Sequence, residues 1–174
     1  KVKAQLITGN VEWDVYENST SVIASGSKAG FWEKLDLSTF DLQDMVIPPA
    51  SDSLTFSTTV FGIAWNPKKH GPGMHPTNFT EYFDLRKFPG RRTFRNSPPA
   101  TLEAALLADG VEPKDMYPLD VDRAFRALAR IKPSIAAWIA AVPETISLVQ
   151  SGEVDFSFAP ANRVKGTNDP GGGV

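Results

Sequence analysis

Arginine, asparagine and serine stand in a row at Arg95-Asn96-Ser97, followed by Pro98 and Pro99, and this is the sharpest chemical signal in the chain. Ser97 predicts a helix N-cap, with Pro98 at the first helical position, where a missing N–H costs nothing. A helix start offers free N–H groups and the positive end of the helix dipole, and an adjacent arginine adds a planar, two-pronged donor. Such a cluster suits a carboxylate or a phosphate. The alternative is an ordinary strand–loop–helix unit in which Arg95 pairs with a nearby acid and never meets a ligand.

The other chemistry-bearing residues form no catalytic set. His70 and His75 are the two histidines of the chain, in a Gly- and Pro-rich stretch that predicts an exposed loop. No carboxylates accompany them at metal-ligand spacing, so no metal site is expected. The chain has no cysteine, which excludes thiol catalysis, disulfides and Cys-ligated metal within it. No G-x-S-x-G, phosphate loop or dinucleotide fingerprint occurs. Asp120 and Asp122 sit where helix capping accounts for them. Trp32, Trp65 and Trp138 are expected in the core or at its rim. No cofactor and no enzymatic activity are expected; what remains is a binding protein.

Bulk properties agree with that class. A length of 174 residues allows one compact domain or two small lobes. Hydrophobic residues make up 41% and charged residues 22%, the balance of a globular protein. Net charge is −2 with no block of like charge, so nucleic acid is not an expected partner. No run approaches the roughly 18 apolar residues of a membrane span, so no direct membrane insertion is expected. There is no N-terminal Met and no leader pattern; a trimmed chain would lack both.

Hydrophobic periodicity places the elements around these residues. A helical tail runs over residues 1–8, closed by Gly9-Asn10. Val11–Tyr16 alternates apolar and polar and predicts a strand, and residues 21–28 predict a short helix. A Pro-punctuated region reaches Ser53, and the β-branched, aromatic run 54–65 predicts one long strand. Residues 79–85 predict a short helix, and 88–111 a turn, strand and helix ending at Asp109-Gly110. Asp120 begins a helix to Ile131 with Val121, Ala124, Phe125, Leu128 and Ile131 on one face. Pro133 and Pro143 each begin a further helix, to about Ala141 and Gln150. Residues 153–159 alternate as a strand, and the Gly-rich stretch 166–174 is expected to be loose or a cut end. Strands alternating with helices imply an α/β fold with a mainly parallel sheet, and the long central strand suggests two lobes joined there.

Several segments in this order carry a family likeness: Gly9-Asn10-Val-Glu-Trp-Asp-Val15, Phe31-Trp-Glu-Lys-Leu-Asp-Leu37, Ala64-Trp65-Asn66, Phe88-Pro-Gly-Arg-Arg92 with Leu106-Leu-Ala-Asp-Gly-Val111, then Val121-Asp-Arg-Ala-Phe125, Ile131-Lys-Pro133 and Ser151-Gly-Glu-Val-Asp155. The chain resembles the extracellular solute-binding proteins of bacterial ABC importers, and within them the spermidine/putrescine-binding group. The resemblance implies a two-lobed periplasmic-binding-protein-like (type II) fold with mainly parallel sheets flanked by helices, lobe one being incomplete. Residues 1–60 would be the remainder of lobe one, 61–66 a crossover hinge strand, 67–165 lobe two, and 166–174 the tail. It also implies a periplasmic protein that closes on a small solute and delivers it to a membrane permease.

Matching against the family nominates ligand-binding residues. They are Glu17, Asn18 and Ser19 after the first strand, and Phe56, Ser57, Thr58 and Thr59 approaching the crossover. Arg95, Asn96 and Ser97 follow in lobe two, with Asn162 and Arg163 after the last strand. Two departures from polyamine binders stand out. Pro160 occupies the place of their usual Trp or Tyr, and Arg95-Asn96-Ser97 replaces the expected acids. Amines need carboxylates or aromatic faces. The solute is therefore expected to be either polyamine-like or, with an anionic group for Arg95 and Glu17 for its amine, a zwitterionic amine or amino-acid derivative. The same scaffold also serves ligand sensors and enzymes of the thiaminase-like kind, the latter through a cysteine that this chain lacks.

Overall fold

Internal contacts divide the chain into two units, Lys1–Thr58 and Thr59–Val174, in the computed structural model, which describes residues 1–174. The first unit holds two helices, α1 (Val2–Thr8) and α2 (Thr20–Lys28), and a 3-10 turn at Leu37–Thr39. α1 stops at Gly9, whose φ of 69° is the left-handed conformation that glycine adopts without penalty. The strand expected over Val11–Tyr16 does not form. A strand needs a partner ladder, and the first unit contains only an isolated bridge between Ala50 and Ser53. The alternating aromatics stack instead, Trp13 on Tyr16 at 6.0 Å and Tyr16 on Trp32 at 5.5 Å. Trp32 in turn packs on Gly26, the one buried residue of this unit, and donates from Nε1 to the Ile23 carbonyl at 2.8 Å. A Cβ at position 26 would fall 2.2 Å from the indole ring.

The second unit is built on a four-stranded sheet. Its strands are β1 (Phe61–Trp65), β2 (Arg92–Arg95), β3 (Ile135–Ile139) and β4 (Phe156–Pro160), in the order β1-β4-β2-β3. The β2/β3 and β2/β4 pairs are parallel, whereas β1 runs antiparallel to β4 with Phe61 opposite Pro160 and Trp65 opposite Phe156. The long strand expected over 54–65 is thus regular only from Phe61. Helices α3 (Phe79–Phe83), α4 (Pro98–Ala108), α5 (Val121–Ile131), α6 (Glu144–Gln150) and α7 (Ala161–Asn168) complete the unit.

β3 lies where a helix is expected. Pro133 supports only a 3-10 turn over Lys132–Ser134, after which Ile135-Ala-Ala-Trp-Ile139 pairs alongside β2, with Trp138 opposite Phe94. Pairing and burial on the sheet outweigh the helix propensity of two alanines. The tail also differs from expectation: it folds back on α7, with the Val174 N–H donating to Asn168 Oδ1 at 2.9 Å.

Alternation along the strands sends side chains to two helical layers. Phe94, Phe156 and Phe158 face α3, α4 and α5, where Tyr82, Leu106 and Leu128 are buried against them. Ala64 and Ala159 point the other way, against Ile146 of α6 and Val164 of α7. On that side Thr93 and Ser157 share a buried hydroxyl hydrogen bond at 2.7 Å. The loop with the two histidines is held at the opposite end of the sheet from Pro160. His70 packs 4.7 Å from the Phe156 ring, and His75 stacks on Trp65 at 3.7 Å.

Candidate functional site

The order of connections defines a crevice. From β2 the chain enters α4 and α5 on one face of the sheet, whereas from β4 it enters α7 on the other. β2 and β4 are neighbours, so their outgoing loops diverge and leave a gap at the carboxyl ends of the strands. Such a switch point is where open α/β sheets hold ligands. Arg95, Asn96 and Ser97 follow β2 at this end; Asn162 and Arg163 begin α7 just after Pro160 closes β4. Thr59 and Val60 arrive at the same end, because the Val60 carbonyl accepts from the Ala161 N–H at 2.8 Å.

Arg95 is the distinctive group of this rim. Its guanidinium lies 5.5 Å from the centre of the Phe61 ring, reaching across the end of β4, the strand between them. Its Nε is buried without a hydrogen-bond partner, and no carboxylate forms an ion pair with it. Arg163 is exposed and equally unpaired. The rim segments 59–61, 95–97 and 160–163 contain no acid at all. Arg95, stacked on Phe61 beside a polar Asn-Ser pair with no counter-charge, is suited to a carboxylate.

The start of α4 corrects the simple capping picture. Ser97 occupies the N-cap position, but its side chain makes no cap hydrogen bond. Pro99 and Ala100 leave helical geometry, Ala100 at φ 67° and ψ −31°, so regular helix begins near Thr101. Tandem prolines supply no N–H groups, and the turn is tied instead by the Thr101 hydroxyl donating to the Arg95 carbonyl at 3.2 Å and by the Asn96 N–H donating to the Ile139 carbonyl at 2.8 Å. The positive character of the rim therefore comes from arginine side chains rather than from a row of N–H groups following Ser97.

The remaining nominated residues belong to the first unit. Glu17 is exposed and Asn18 donates from Nδ2 to the Tyr16 hydroxyl at 2.6 Å. The Ser19 N–H donates to Asn18 Oδ1 at 2.8 Å, and Ser19 starts α2 without a side-chain cap. Phe56, Ser57 and Thr58 are exposed in an irregular segment.

Sequence reasoning passed over Phe61, the platform for Arg95, and over Phe125, Lys132 and Trp138. These three line a cavity of about 550 Å³ together with Arg95, Asn96 and Ser97. Phe125 shares the helical face of Ala124 and Leu128, which predicts burial, yet it is 59% exposed. It projects at the margin of the apolar stripe, toward a cavity that no pattern of period 3.6 reveals.

The fold is that of bacterial solute-binding proteins. The chain belongs to the bacterial extracellular solute-binding protein family, which it matches over residues 1–173. It is 31% identical over 176 residues to a gamma-aminobutyric acid-binding protein of Pseudomonas aeruginosa, covering 98% of this chain and 50% of that protein. Among solved structures, an ABC transporter substrate-binding protein from Bradyrhizobium japonicum USDA 110 superposes with a TM-score of 0.87 at 38% identity. A second, described as the Atu4243–GABA receptor, superposes with a TM-score of 0.81 at 33% identity. Each alignment covers 98% of this chain and 53% of the other, so the chain spans about half the length of these relatives. The α/β fold expected from the sequence, part of a two-lobed periplasmic-binding-protein architecture, is the fold of these neighbours. No helix is long and apolar enough to cross a membrane.

Proposed function

We propose that this chain serves in the periplasm as part of the solute-binding component of an ABC importer, and that its solute is a zwitterionic amine of the amino-acid type. The carboxylate of that solute sits at the β2/β4 switch point on Arg95, with Arg163, Asn96, Ser97, Asn162 and Thr59 as polar neighbours. Glu17, Asn18, Ser19, Phe56, Ser57 and Thr58 are proposed as candidate binding residues within the first unit. A membrane permease is the proposed recipient of the solute.

The observation that carries this reading is the unpaired Arg95 in a rim without acids. A partly buried guanidinium left without a counter-charge awaits one, and a carboxylate supplies two oxygens in matching geometry. The two relatives named for γ-aminobutyrate support the same solute class. A polyamine, of the spermidine or putrescine kind, fits less well, because the rim opposes cationic arginines to its ammonium groups and offers no carboxylate in exchange.

Native mass spectrometry of protein purified without denaturation tests the proposal. A retained small molecule is expected to be an amine bearing a carboxylate. Retention of a polyamine overturns it.

A further inference from the structure

The cavity of about 550 Å³ shares Arg95, Asn96 and Ser97 with the candidate rim, so the two adjoin. Its other walls include Phe125 of α5, Lys132 of the following turn and Trp138 of β3. Phe125 and Trp138 are 59% and 41% exposed, a large apolar surface left facing an open space. Arg95 and Lys132 are the charged residues of the lining, and both are cations. Lys132 forms no ion pair.

Volume separates this space from what a small amino acid fills. At no more than about 30 Å³ per heavy atom, the share of a water molecule in the liquid, the seven heavy atoms of γ-aminobutyrate occupy at most about 210 Å³. The cavity therefore accommodates a substantially longer solute, within the roughly 300–1,000 Å³ typical of ligand pockets.

We propose, building on the zwitterion-binding reading above, that this cavity is a subsite for a solute arm that is apolar along its length and ends in a second anionic group. The arm lies against Phe125 and Trp138, and its terminal anion is met by Lys132. A cationic arm is repelled by Lys132, and a short zwitterion leaves the cavity filled with water. The solute class becomes an amino-acid derivative with a distal acid.

Calorimetric titration with two amino acids of equal carbon count, 2-aminopimelate and 2-aminoheptanoate, and with γ-aminobutyrate tests this. The dicarboxylate is expected to bind at least about tenfold more tightly than its neutral-tailed partner, the scale of a charge-assisted hydrogen bond. In Lys132→Gln that ratio is expected to fall to about one, and Phe125→Ala is expected to weaken both long-chain ligands. A ratio of one in the unmodified protein, or a ratio unchanged by Lys132→Gln, overturns the subsite. Binding of γ-aminobutyrate without binding of either long-chain acid overturns the subsite alone. Failure of all three ligands to bind overturns the zwitterion reading and the subsite with it.

Discussion

Arg92 and Arg95 bracket a four-residue strand, and their guanidinium groups meet opposite surroundings. Arg92 is fully buried. Its Nε donates to the Tyr82 carbonyl at 2.7 Å, one terminal nitrogen to Gly90 at 2.6 Å, and the other to Phe88. Its charge lies over the rings of Tyr82 and Phe156, at 5.6 and 5.3 Å. Burial lowers the pKa of Arg92, while the nearby carboxylates of Asp155 and Asp84 oppose that shift. Arg92→Ala leaves three carbonyls without a donor and is expected to destabilise the protein by about 3 kcal/mol or more in urea unfolding. A loss below about 1 kcal/mol contradicts this account. Arg92→Lys is expected to recover only part, since an ammonium cannot span a planar fork of acceptors. Both arginines belong to runs that read as polar, and nothing in their spacing separates the structural one from the one left free. That distinction depends on Tyr82 and Phe61, which arrive from other elements.

The helices divide by how their starts are made. Asp120 caps α5, its Oδ1 accepting from the Arg123 N–H at 2.9 Å, whereas Ser97 makes no such bond at the broken start of α4. Asp120→Ala is expected to cost about 1 kcal/mol in chemical denaturation, and Ser97→Ala no more than about 0.5 kcal/mol. Equal losses contradict the difference in cap geometry. α5 is legible because its cap and its period agree, with Ala124, Leu128 and Ile131 inside, although Val121 and Phe125 of the same stripe are exposed. Val11–Tyr16 was misread because alternation alone does not make a strand when no ladder is present to pair with it. β3 differs from expectation for the converse reason: Pro133 suits the first position of a helix, but Ile135, Trp138 and Ile139 favour a strand and pair beside β2. The switch point itself was only partly legible. Its loops could be located from Arg95–Ser97 and Asn162–Arg163, but the order β1-β4-β2-β3 that brings them together is a tertiary fact.

At the scale of the whole molecule, the two units differ in what holds them. The second has a continuous aromatic and aliphatic core that ties β2 and β4 to α3, α4 and α5, so the carboxyl ends of those strands stand on a packed base. In the first, stacked aromatics and Trp32 on Gly26 take the place of such a core. The candidate rim of the second unit thus stands on a packed core, in keeping with a binding group positioned by a rigid scaffold. The proposed role of that rim is an electropositive switch point that receives a carboxylate. Calorimetry on the unmodified protein and on Arg95→Ala, titrated with γ-aminobutyrate and with spermidine, tests the claim most directly. The zwitterion is expected to bind, spermidine to bind weakly or not at all, and Arg95→Ala to lose at least about tenfold in affinity for the zwitterion. Tight spermidine binding with none by the zwitterion, or an Arg95→Ala protein that binds the zwitterion undiminished, would contradict it.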